Sequence, residues 1–354
     1  MSFSRLFEAP TLPRSGLHLT NRLVMAPMPT FAADPEGDAS EAEIAYYRRR
    51  AGGGVAVVVT AGCSVEAAGD CFPGQWRADS DGRIASLERV AETIRAEGAL
   101  AVLQLCHAGA AAEAGTPGPD QLDDADARRL IRTFASAAGR GAAAGFDGVE
   151  IHGGHGYLPQ QFFSRGSNSR EWSWGGSSVA KRSRFAVALV ELVRESTGGR
   201  SSIWFRLTPE ERGAVGITIE DTAELAAQLE AGGVEAFDVS VRRWDEGSIR
   251  ERADQRPRSA VLSEALSDRA AVLAVGGIDQ PDQALRAIEA GASLVGLGHC
   301  LLAEPDWPRR VREDGLTEPA PPAPDGDRLK SLDVPSPVID YLREKAERHP
   351  PQPE

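Results

Sequence analysis

No stretch of this sequence reaches the ~20 consecutive apolar residues that a membrane-spanning helix needs. The start, Met1-Ser2-Phe3-Ser4-Arg5, also lacks a long apolar run, so no secretory leader is expected. A basic stripe is missing too, and the net charge is −13. Nucleic acid and anionic membrane surfaces are therefore poor partners. Cysteine is scarce. Cys63, Cys71, Cys106 and Cys300 form no CxxC pair and no zinc or iron–sulfur spacing, so no metal is expected. They read as reduced thiols of a cytoplasmic protein. No block of low hydrophobicity interrupts the middle of the chain, and 354 residues suffice for one large domain or two small ones.

What is present is a recurring pair of patterns. Short, mostly apolar β-branched runs occur at 22–26, 55–60, 100–105, 148–151, 202–207, 237–241, 271–275 and 293–297. They do not alternate with polar residues, as expected for strands buried on both faces of a parallel sheet. Helical patterns lie between them at 83–97, 123–144, 179–196, 219–231 and 281–290. Acidic residues in the first turn of the second suit the helix dipole, and Pro281 behind Asp279 is a start signal. Eight such strands with helices between them predict an α/β fold of the (β/α)8 TIM barrel type. The rival, a doubly wound sheet, would want a GxGxxG turn after its first strand. Here that strand ends in Ala26-Pro27-Met28-Pro29. Residues 1–20 read as a hairpin closing the barrel bottom. The barrel is expected over 1–318. Beyond it, 319–354 read as a stiff proline-rich linker, Pro319 to Pro324, and a short amphipathic helix near 338–348.

The strand at 148–151 ends in His152-Gly153-Gly154-His155-Gly156-Tyr157. A single histidine after a strand more often packs or caps than catalyses. Two histidines and a tyrosine threaded on glycines shift the balance towards function. Two imidazoles can donate to one carbonyl or anionic oxygen, and a phenol nearby can give a proton. In a barrel the C-terminal strand ends share one face. Pro27, Met28, Thr60, Ala61, Gln104, His107, Arg206 and the glycine turns Gly276-Gly277 and Gly298-His299 would join the triplet there. Each glycine turn alone is weak evidence. Together they form a possible phosphate cradle, set against ordinary glycine-rich loops.

These residues resemble the old yellow enzymes, a family of FMN-dependent ene-reductases on a (β/α)8 barrel. The similarity runs from about Leu6 to Trp307. It is carried by Asn21-Arg22-Leu23-Val24-Met25-Ala26-Pro27-Met28, Gln104 with His107-Ala108-Gly109, the histidine stretch, Gln161-Phe162-Phe163-Ser164, Asn168, Arg170, Gly175-Gly176-Ser177, Arg184-Phe185 and Val275-Gly276-Gly277-Ile278. The run Ala45 to Arg50 fits bacterial branches. The resemblance implies FMN as cofactor and NAD(P)H as reductant. Ala26, Pro27, Met28 and Ala61 would lie at the flavin edge, Gln104 at its pyrimidine half and Arg206 near N1 and the C2 oxygen. Gly276, Gly277, Gly298 and His299 would hold the phosphate. His152 and His155 would bind the oxygen of an unsaturated carbonyl substrate, and Tyr157 would supply the proton. A homo-oligomer is also in keeping with the family.

Three departures stand out. Pro29 replaces the usual Thr or Cys and offers no hydrogen-bond donor, so a shifted flavin potential is expected. His299 replaces the usual arginine, so a weaker hold on phosphate is expected unless another cation such as Arg242 or Arg243 substitutes. The loop at 110–121 is short, which predicts an open mouth. Two rivals keep other chemistry: a flavin enzyme that oxidises, isomerises or aromatises a bulky intermediate, and a flavin-free barrel acting as a binding protein. Elsewhere the plain readings are preferred. Trp172 and Trp174 are wall or packing residues, Cys106 a buried small hydrophobe, Glu210-Glu211 solvated and His18 structural. Trp244 is left between packing and lining the mouth.

Overall fold

The computed structural model describes residues 3–113, 115–315 and 325–348. Among these are nine strands: β1 Leu23–Met25, β2 Val57–Val59, β3 Cys63–Ser64, β4 Leu100–Cys106, β5 Gly148–Gly153, β6 Ser202–Leu207, β7 Ala236–Ser240, β8 Ala271–Val275 and β9 Leu294–Leu297. All named pairings are parallel, in the order β2-β1-β9-β8-β7-β6-β5-β4, and β2 also pairs with β4. The sheet therefore closes on itself, and β3 is a short continuation of β2 along β4. This is the (β/α)8 barrel expected from the strand–helix alternation.

The helices are α1 Glu41–Ala51, α2 Ile84–Ala96, α3 Asp124–Ala143, α4 Leu158–Phe163, α5 Val179–Arg182, α6 Arg184–Ser196, α7 Ile219–Gly232, α8 Arg258–Ala265, α9 Pro281–Glu289, α10 His299–Ala303, α11 Trp307–Glu313, α12 Gly326–Ser331 and α13 Ser336–Arg348. The single helix expected over 179–196 is divided at Ser183, whose hydroxyl donates to the Val179 carbonyl. Neither α1 nor α8 follows from the helical patterns alone.

Two apolar layers result. Leu87, Phe134, Val190 and Leu229, on helix faces, pack against the barrel's outside. The interior holds Val24, Val57, Val102, Trp204 and Leu273. Leu12 and Leu19 join that inner cluster from an N-terminal hairpin in which Thr11 pairs with His18, so the hairpin plugs the bottom of the barrel as expected. Pro319 to Pro324 lie outside the described residues. Beyond them, α13 buries Val338 and Ile339, and the Tyr341 ring meets Phe31 at a tilt of 36° with centroids 5.2 Å apart. No described helix is long and apolar enough to cross a membrane.

Candidate active site

Period-two alternation along each strand decides what faces the barrel interior. Gln104 on β4, Glu150 and His152 on β5, Arg206 on β6, and Asp238 and Ser240 on β7 lie side by side, since Gln104 registers with Glu150, His152 with Arg206 and Arg206 with Asp238. They form a buried polar floor below the mouth. The Gln104 side-chain amide donates to Glu150 Oε1 at 2.6 Å. The Arg206 guanidinium donates to the Pro27 carbonyl at 3.2 Å and to Ser240 Oγ at 3.0 Å, and its Nε stands 3.1 Å from Asp238. Burial raises the Glu150 carboxyl to about 8, the neighbouring Asp238 adds to the rise, and Arg206 opposes it. Burial holds Asp238 up as well, against the pull of Arg206. Removing two adjacent carboxyls from water favours their protonated forms.

Above this floor stand three rings. His152 lies edge-on to both His155 and Tyr157, with centroids 4.9 Å apart in each pair. His152 is buried, and His155 opens to the mouth. Burial, then His155 and Arg206, hold the His152 imidazole well below its ordinary value. Burial and Arg206 lower His155 to about 4. Both rings are therefore neutral near pH 7. Nδ1 of His152 accepts from the Gly154 amide at 3.3 Å, so its proton sits on Nε2 as a free donor. His155 Nε2 meets Ser240 Oγ at 2.9 Å. Burial raises the Tyr157 phenol above its ordinary value, and the Cys71 and Cys106 thiols push the same way. It stays protonated through neutrality.

The glycine turns differ in kind. Gly276 adopts φ +135° and Gly277 φ +60°, and a Cβ on Gly276 would lie 2.4 Å from the Val241 carbonyl. Only glycine fits at Gly276, because backbone of the 241–244 loop fills the space a side chain would take, whereas the nearest atom to a Cβ on Gly277 is 3.5 Å away, so a phosphate can approach its backbone. Gly298 faces the Met28 sulfur, and His299 reaches the surface. Desolvation within its surroundings, then Lys345 of α13, lower the His299 imidazole. At neutral pH it therefore offers the phosphate a neutral ring rather than a cation. Arg242 and Arg243 are exposed, and Arg243 pairs with Asp245 at 3.0 Å. Ala26 donates its amide to Leu297 at 2.9 Å. Ala61 is fully buried: its amide donates to the Tyr47 hydroxyl at 2.9 Å, and its carbonyl accepts from Trp76 at 3.2 Å.

Several expectations change. His107 does not face the mouth. It is buried, accepts from the Gly109 amide at 2.9 Å and donates through Nε2 to Glu66 at 3.0 Å. Glu210 is not solvated: it is 5% exposed and accepts from Ser248 and the Ile249 amide. Glu211 is half-buried and accepts from Gln160 and Ser164. Trp172 is 59% exposed under the Arg170 guanidinium, whereas Trp174 is buried against Phe185. Trp244 packs inside, beneath Arg286. Glu150, Asp238 and Ser240 belong to the site but do not stand out in the sequence. Their signal is the two-residue spacing Glu150/His152 and Asp238/Ser240, which puts each pair on one strand face.

A floor that offers amide and guanidinium donors, beside a glycine turn open to a phosphate, fits a flavin mononucleotide. The family described as NADH:flavin oxidoreductase / NADH oxidase matches residues 6–318. A probable NADH-dependent flavin oxidoreductase of Bacillus subtilis (strain 168), YqiG, is 33% identical over 332 residues, covering 88% of this chain and 88% of that protein. An NADH:acrylate oxidoreductase of Vibrio harveyi is 34% identical over 358 residues, 93% of this chain but 35% of that protein, so the chain spans about a third of its length. Among solved structures, the old yellow enzyme from Trypanosoma cruzi superposes with a TM-score of 0.76 at 22% identity, covering 90% of this chain and 94% of that one.

Proposed function

The chain belongs to the NADH:flavin oxidoreductase / NADH oxidase family and is an FMN-dependent NAD(P)H oxidoreductase of the old yellow enzyme type; on that premise we propose that it reduces a carbon–carbon double bond conjugated to a carbonyl or carboxyl group. The observation that carries this reading is the ring cluster, with His152 centred 4.9 Å from both His155 and Tyr157. When bound, FMN would supply the hydride it takes from NAD(P)H. Gln104 and Arg206 would hold its ring system, with Ala26, Pro27, Met28 and Ala61 near it. Gly276, Gly277, Gly298 and His299 would hold the phosphate.

The chain's own residues then act on the substrate. His152 donates from Nε2, and His155 donates from the nitrogen that carries its proton. Both converge on the activating oxygen. As neutral donors they stabilise the negative charge that develops there without neutralising it beforehand. Tyr157 gives its proton to the α-carbon as the β-carbon takes the hydride, which completes the saturated product. Arg206, fixed by Asp238, Ser240 and Pro27, keeps one positive charge under the site. The acrylate relative is consistent with a carboxyl as activating group.

A bulkier substrate, including one that is isomerised or aromatised, is supported by a cavity of about 610 Å³ beside Gly156, bordered by Pro119, Gln160 and Val215. The test uses FMN-loaded, full-length protein under anaerobic conditions, with NADH or NADPH, then acrylate, fumarate or 2-cyclohexenone. Saturated product equal to the reductant consumed is expected for at least one of them. A flavin reduced by nicotinamide that yields no saturated product from any would overturn the reading. A flavin inert to both nicotinamides would favour oxidation, isomerisation or aromatisation of a bulky intermediate instead.

A further inference from the structure

The reaction above leaves two nucleophilic side chains at its edge without a part. Cys106 ends β4 and, two residues beyond Gln104, faces the same interior side. Cys71 comes from the segment after β3. Their sulfurs are 3.1 Å apart. One buried glutamine aligns both. Gln75 accepts from the Cys71 backbone amide at 2.6 Å through Oε1, and its Nε2 donates to Cys106 Sγ at 2.8 Å and to the Gly62 carbonyl at 2.5 Å. Gly62 makes room for this arrangement, since a Cβ there would meet Cys106 Sγ at 2.9 Å. The Cys71 thiol is also near enough to the Tyr157 phenol to help raise it. Cys63 and Cys300 are buried and free.

We propose that Cys71 and Cys106 form a redox site beside Tyr157, closed to a disulfide by a peroxide-class oxidant. Cys71 reacts first, because it is partly exposed while Cys106 is fully buried. Its sulfur attacks one peroxide oxygen, the O–O bond breaks, and the thiol proton leaves with the displaced hydroxide as water. Cys106 then attacks the sulfenic sulfur of Cys71. The S–O bond breaks, and the second thiol proton leaves with that hydroxide as water. Two thiols lose two electrons and two protons, and one peroxide becomes two waters. The sulfurs need to close by about 1 Å to reach bonding distance. Burial raises the Cys106 thiol well above its ordinary value, so it resists oxidation until its partner is activated. Closure replaces the two thiols that act on the Tyr157 phenol with a disulfide. That consequence for turnover rests on Tyr157 being the proton donor; formation of the bond does not.

The test treats reduced, FMN-loaded, full-length protein with hydrogen peroxide, quenches it, unfolds it in denaturant, alkylates it without a reductant and maps the peptides. The expected result is loss of two of the four alkylatable thiols and a linked Cys71–Cys106 peptide pair, two hydrogen masses below the dithiol and reversed by dithiothreitol. Cys63 and Cys300 stay alkylatable. Cys106→Ser should stop at a Cys71 sulfenic acid that dimedone traps, and Cys71→Ser should leave Cys106 reduced. Both thiols still alkylatable after peroxide, or Cys71 carried to a sulfinic acid with Cys106 free, would overturn the site. A cross-linked protein that forms saturated product as fast as the reduced one would overturn the link to Tyr157. Reduced protein that never forms saturated product would count against the proposed function and leave the redox site standing.

Discussion

At the residue scale, neutral donors and a protonated phenol define the site. Tyr157→Phe should lower formation of saturated product by ~10²–10⁴-fold while flavin reduction by NAD(P)H stays unchanged, as stopped-flow and product analysis would register separately. The histidines also make a pH statement. Burial lowers His152, and holds His155 at about 4 against an ordinary 6.5. Neither changes charge between about pH 5.5 and 8, so the rate of product formation should show no histidine titration near 6.5. The same shifts act on stability. The unfolded chain binds more protons than the fold at pH below 6.5. Their contribution is therefore full above 6.5 and lost as pH falls towards 4, and the melting temperature should drop across that window. The imidazoles, the phenol, Gln104 and Arg206 were legible in the sequence because each lies near or just beyond the C-terminal end of a strand. The tautomer of His152, and the neutrality of both rings, come from neighbours that the sequence does not place beside them.

At the element scale, strand alternation and glycine turns shape the site. Gly276→Ala would force a side chain into φ +135° and against the Val241 carbonyl. It should cost about 1–3 kcal/mol of stability. FMN should also elute more readily from the variant on gel filtration, since that turn faces the proposed phosphate position. The strand boundaries read from the sequence lie within a few residues of those observed, because buried β-branched runs have few other uses. Helices α1 and α8 were less legible. α1 is short, and its burial of Glu43, Tyr47 and Arg50 hides an apolar stripe behind polar residue types. α8 similarly buries Arg258 and Ser259. The redox pair is invisible at this scale. Cys71 and Cys106 are 35 residues apart and meet only because β3 extends β2 along β4.

At the scale of the whole molecule, the barrel interior carries both stability and electrostatics. Trp204 is fully buried in the inner cluster, its indole N–H held by Ser202 at 2.7 Å. Trp204→Ala should lower unfolding stability by about 3–5 kcal/mol, read from the denaturant midpoint. Beside it on the neighbouring strand, Glu150 titrates near 8 in the fold against an ordinary 4.5. The folded state binds the extra proton between those values. That contribution is full below about 4.5 and is lost as pH rises through 8. Glu150→Gln should flatten the fall in melting temperature on the alkaline side. A variant whose melting temperature follows pH as the wild type does would show that the buried carboxyl is not the cause.

The sequence by itself determined the barrel, the bottom hairpin and the face that carries the chemistry. Those depend on local periodicity and on where each strand stops, and both are written along the chain. Only the tertiary structure decided which polar groups remain free at that face. It turned His107 away to Glu66, engaged the Ala61 amide with Tyr47, buried Glu210, and set Glu150 and Asp238 beneath Arg206. It also brought two cysteine sulfurs to 3.1 Å beside Tyr157. The reason is physical: hydrogen-bond commitment, desolvation and close approach depend on neighbours from distant strands, and the closing of the sheet alone chooses them.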